Sequence, residues 1–87
     1  MISLDDCIAL CGLTPAEVAA IAEHEHLPEV VAATLGRYLL NQAHGSDKIR
    51  AMLIDDIREA LQSGRLEHAA LLTSALRHFL ASQPAAA

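Results

Sequence analysis

Aromatic side chains are almost missing from this 87-residue chain, which has one Phe, one Tyr and no Trp. The β-branched residues are sparse too, with Val, Ile and Thr together numbering 12. Strands draw on these two classes, so sheet architectures are disfavoured. No apolar run approaches the roughly 18 residues that span a membrane, and no membrane partner is expected. Residues 1–36 contain no Lys or Arg at all. The start, Met-Ile-Ser-Leu-Asp-Asp, therefore lacks the basic region of a secretory signal, and a cytoplasmic location is expected. A chain poor in apolar residues would stay disordered, but here the hydrophobic fraction is 53%. Most of it is Ala (17) and Leu (14), which lose little side-chain freedom in a helix. The composition predicts one small all-α domain over 1–82, with 83–87 as a flexible tail.

The formal charge of −5 is unevenly spread. Residues 1–36 carry six acids, whereas residues 37–87 carry all six bases and five acids. An acidic half-chain attracts cations, a basic protein surface, or the other half of its own fold, and it repels phosphate. Nucleic-acid binding needs a stripe of Lys and Arg, and none is present, so no nucleic-acid partner is expected.

Punctuation divides the chain into helices. Ser3 can cap a short leading helix with Leu4, Cys7, Ile8 and Cys11 on its apolar stripe and Gly12 as its stop. Thr14-Pro15-Ala16-Glu17 reads as a capping box with Pro at the first helical position. Val18, Ile21 and Ala22 are expected to face inward, and Pro28 ends that helix. The next helix spans about Pro28 to Asn41, with Val31, Leu35, Tyr38 and Leu39 on its predicted inner face. Gly36 inside it costs about 1 kcal/mol against Ala, which either a close helix crossing or a tolerated accident would explain. Ser46 or Asp47 opens a further helix with Ile49, Met52, Leu53, Ile57, Ala60 and Leu61 as its stripe and Gly64 as its stop. The last helix, about Leu66 to Ala81, repeats Leu66, Ala69, Thr73, Leu76 and Leu80 at steps of three and four. Leu72 and Phe79 widen that stripe beyond what one neighbour needs. The expected architecture is a compact bundle of four main helices plus the short leading one.

One segment concentrates chemistry. Glu23-His24-Glu25-His26, followed by Pro28-Glu29, places five metal-ligating side chains within seven residues. Glu23 and His26 are three apart, the Glu-x-x-His spacing that carboxylate-bridged di-iron bundles draw from each of two helices. A full site would need a symmetric partner and another carboxylate, for which Asp55, Asp56 and Glu59 are candidates. Glu23, His26 and Glu29 are thus the candidate ligands for a divalent metal (Zn, Fe or Mn). The alternative is a solvated helix end. Glu23 and Glu25 are then misplaced against the negative pole of the helix and need an Arg, a metal, a partner, or continuation of the helix through Pro28 to offset them. Cys7 and Cys11, one helical turn apart, read as two small buried residues or as half of a loose metal pair. His44, His68 and His78 read as surface residues. No base or glycine elbow accompanies Ser63 or Ser74, so catalysis by a single chain is not expected.

The stretch Cys11-Gly12-Leu13-Thr14 through Ala20-Ile21-Ala22-Glu23-His24-Glu25-His26-Leu27-Pro28-Glu29 resembles short all-helical proteobacterial proteins of no known activity. The resemblance implies a bacterial cytoplasmic setting. Gly64-Arg65-Leu66-Glu67-His68-Ala69 is similar to the turn and second-helix start of a tetratricopeptide-type hairpin. The segment before it lacks the Leu-Gly step of that family and no second repeat follows, which argues against a solenoid. The expected function is a non-catalytic interaction module that forms a homodimer through Leu71, Leu72 and Phe79. A metal protein completed across a dimer, and an acidic partner for a basic surface, are the competing readings.

Overall fold

The computed structural model describes residues 12–82 as four helices. They are α1 (Pro15–Glu25), α2 (Glu29–Leu40), α3 (Gly45–Gln62) and α4 (Leu66–Ser82). No strand occurs among the described residues, and the chain is an all-α bundle. The expected leading helix from Ser3, with Cys7 and Cys11, and the tail at 83–87 lie outside the described residues.

Thr14 caps α1 as a reciprocal box. Its hydroxyl accepts from the Glu17 amide (3.2 Å), and its own amide donates to Glu17 Oε1 (2.8 Å). Two of the amides left free at a helix start are thereby satisfied. At the other end His26 adopts the left-handed conformation (φ 55°) and its amide closes onto the Ala22 carbonyl. The chain then turns through Pro28 into α2. Gly64 (φ 76°) makes the equivalent stop between α3 and α4.

α1 and α3 each pack against all three other helices and together form the middle of the bundle. Val18 and Ile21 of α1 join Leu13, Ile49, Leu53, Ala60, Leu72 and Phe79 in one apolar core. Gly36 lies where α2 meets the start of α1. A Cβ there would run into the Leu13 side chain and press on Ile21. The close crossing expected from that glycine is present, and it accounts for the loss of helix propensity.

Two predicted faces are rotated. In α2 the buried residues are Ala32, Ala33, Gly36 and Leu39, whereas Val31 and Tyr38 are exposed. Small residues sit inward because α2 approaches its neighbours closely, and the larger side chains are displaced outward. In α4 the core face is Ala69, Leu72, Ala75 and Phe79, while Leu66, Thr73 and Leu80 are exposed. α4 meets α3 on one side and α1 on the other, so its wide apolar arc is used inside the chain. Phe79 (1% exposed) and Leu72 (4%) are therefore covered by their own fold, and the expectation that they form an interface is corrected. Of the three expected interface residues, Leu71, at 69% exposed, is the one on the surface. The start of α3 also differs. It begins at Gly45 after a left-handed His44, and neither Ser46 nor Asp47 provides its N-cap.

Candidate functional site

The chemistry gathers around α1, where carboxylates on one helix meet imidazoles and an Arg brought up from the far end of the sequence. Glu17 is 1% exposed and fully engaged: Oε1 takes the Thr14 amide, and His78 Nδ1 donates to Oε2 (3.1 Å). Two turns on, His68 Nε2 donates to Glu23 Oε2 (2.7 Å), and Arg65 Nη1 lies 3.5 Å from Glu23 Oε1. The offset that Glu23 requires at a helix C-terminus is thus supplied by Arg65 and His68. These pairings span 42 to 61 positions in sequence, which no local motif encodes.

Between the two pairs, α1 and α4 enclose an apolar groove of about 440 Å³. Ala16, Ala19, Ala20 and Ala75 line it together with Leu71 and Leu72. The His68–Glu23 pair borders it, as does His78, the partner of Glu17.

On the other flank of α1 lies a polar cleft of about 500 Å³ against α3. Glu23, His24, Asp55, Asp56, Glu59 and Arg65 border it, with Ala22 and Leu27 as its apolar part. His24 Nδ1 donates to Glu25 Oε2 (2.8 Å), and its Nε2 faces Asp55 Oδ2 at 3.4 Å. Burial works against protonation of His24, but Glu25 and Asp55 at its two ring nitrogens, with Asp56 nearby, outweigh burial and raise its pKa above the ordinary 6.5. Asp56 is the anomaly. It is 3% exposed, and its Oδ2 is buried without a hydrogen-bond partner among the described residues. Burial, then the charge of Glu23, pushes its carboxyl from 3.8 up to about 6, with His24 opposing and Glu59 and Asp55 adding to the rise.

The metal site expected of Glu23, His26 and Glu29 is one completed across a dimer, and within one copy these residues have other roles. His26 leaves the helix as its left-handed cap, Glu29 is exposed at the start of α2, and Glu23 is occupied by His68 and Arg65. Among the described residues no group of three or more His, Cys, Asp or Glu is arranged to hold a metal ion. Asp55, Asp56 and Glu59 do reach the cleft that Glu23 and His26 border. Sequence reasoning missed the burial of Asp56. Its signal was position: Asp56 falls three residues after Leu53 and four before Ala60, on the buried stripe of α3.

No described helix is long and apolar enough to cross a membrane. No protein-family model, curated protein or solved structure matches the chain.

Proposed function

We propose that this chain is a non-catalytic helical interaction module that associates with a second copy of itself through the α1–α4 face. The observation that carries this reading is the pairing of a hole with a knob on one surface. The groove is walled largely by alanines, and Leu71, which also lines it, is 69% exposed. A two-fold axis across this face lets Leu71 of each copy enter the groove of the other, which is the self-complementarity an isologous dimer needs. Burying a leucine contributes about 1.5–3 kcal/mol, and the symmetry counts it twice. The Glu–His pairs beside the groove give the contact a polar rim.

Sedimentation at micromolar concentration tests the reading. The wild type is expected as a dimer whose Tm rises with protein concentration, and Leu71→Glu as a folded 9.3 kDa monomer whose Tm does not depend on concentration. A monomeric wild type, or a dimer indifferent to Leu71→Glu, overturns it. The dimer should also persist in high salt, because its attraction is apolar; steep weakening by salt would instead favour an acidic surface docking onto a basic one.

A further inference from the structure

The cleft between α1 and α3 shares only Glu23 with the groove of the proposed dimer contact and has its own chemistry. Four carboxylates border it, Glu23, Asp55, Asp56 and Glu59, against one permanent cation, Arg65. Such a surface repels anions. The carboxylates do not converge as a metal cage, since no three ligating groups are suitably placed among the described residues. A volume of about 500 Å³ is also far larger than a bare ion requires. What the cleft holds besides charge is an apolar flank, Ala22 and Leu27.

Asp56 identifies what is missing. A buried carboxylate oxygen without a donor is costly, and native proteins retain few of them. Asp56 is 3% exposed, borders the cleft, and leaves Oδ2 unanswered. Glu23 cannot donate to it, and Arg65 is engaged with Glu23. His24 lies beside Glu25 and Asp55 instead. The donor the site wants is cationic, compact and carried on an apolar stem. A primary ammonium on a methylene chain has that form, because the stem can lie on apolar surface while three N–H groups serve the carboxylates. The geometry points to a binding site for a primary alkylammonium group, its head on the Asp56 carboxylate and its stem along Ala22 and Leu27. The group could be supplied by a lysine side chain of another protein or by a free polyamine.

Titration calorimetry at neutral pH on the full chain separates these sources, with spermidine in one arm and an acetylated, amidated lysine peptide in the other. Asp56→Asn removes the charge while keeping the shape, and it relieves the fold of a buried carboxylate, so the variant folds. Glu67→Gln, an exposed acid outside the cleft, controls for net charge. The expected result is saturable binding in at least one arm, weakened about thirtyfold or more by Asp56→Asn and unchanged by Glu67→Gln. Binding of spermidine alone assigns a free polyamine, and binding of the peptide alone assigns a partner's lysine. Absence of saturable binding in both arms at millimolar concentration overturns the proposal. So does an equal loss in both variants, which marks unspecific charge attraction. Saturation by Mg²⁺ at the same concentrations, lost in Asp56→Asn, overturns it in favour of a metal.

Discussion

Replacing Asp56 by Asn should stabilise this protein, and the gain should depend on pH in a defined direction. Asp56 ionises near 3.8 in the unfolded chain and at about 6 in the fold, because burial and the neighbouring Glu23 charge oppose the carboxylate. The folded state therefore holds the proton to higher pH than the unfolded state. Between those two values the folded protein binds more protons, so stability falls as pH rises, and above about 6 the loss is complete. At 1.36 kcal/mol for each pH unit between the two values, the ionised carboxylate costs the fold about 3 kcal/mol. Asparagine is neutral at every pH and nearly isosteric. Asp56→Asn is thus expected to gain about 3 kcal/mol near pH 7.5 and only a few tenths near pH 3.5. For a domain of this size the neutral-pH gain corresponds to a rise in Tm of more than about 10 °C. Urea unfolding of both proteins at the two pH values measures the difference directly. A variant less stable than wild type near neutral pH would refute the reasoning, since it would mean that the fold satisfies this carboxylate.

Three further perturbations follow from the same coordinates. Gly45→Ala should destabilise by about 2 kcal/mol or more in chemical denaturation, despite a gain in helix propensity of about 1 kcal/mol, because a Cβ there collides with the Leu39 backbone carbonyl, which no rotamer change relieves. His26→Gly should stabilise by about 1 kcal/mol, since the residue sits at φ 55° where a Cβ is penalised; a loss of stability would show that the imidazole has a partner. His24→Ala should lower stability more near pH 5.5 than near pH 8.5: the folded protein raises the pKa of His24, so its contribution is present below 6.5 and lost as pH rises through the folded value.

Locally encoded features were legible and tertiary ones were not. The Thr14–Glu17 capping box, the Pro28 break and the Gly64 stop each depend on a few consecutive residues, and each is where the spacing places it. Gly36 was legible for a different reason: a glycine within a helix loses stability unless a neighbour occupies the space of its Cβ, and Leu13 does. The facing of α4 was ambiguous because leucines and alanines at steps of three and four fit two rotations of one helix. The choice between them was made by α1 and α3 both packing on α4, which leaves Leu72 and Phe79 no route to the surface. Likewise Glu-x-x-His read as a metal pair only while the helix was taken to continue to His26. His26 instead forms the left-handed cap, and Glu23 turns to residues more than 40 positions away.

The uneven charge acquires a physical meaning once the helices are assembled. Glu17 and Glu23 of the acidic half are matched by His78, His68 and Arg65 of the other half, so the segregation is partly neutralised within the fold. Asp56 breaks that pattern. It belongs to the half that holds the bases, yet α1 presents Glu23 to it, and its own helix adds Asp55 and Glu59. Compensation therefore fails at Asp56, and its cost to the fold persists there. Glu23 borders both the cleft and the alanine groove, and its contacts to His68 and Arg65 tie the two surfaces together. A cation entering the cleft would compete with Arg65 for Glu23 and reshape one rim of the groove. Occupancy of the acidic cleft should therefore alter the strength of the dimer, in either direction, whereas Asp56→Asn should abolish that dependence and leave the dimer itself intact.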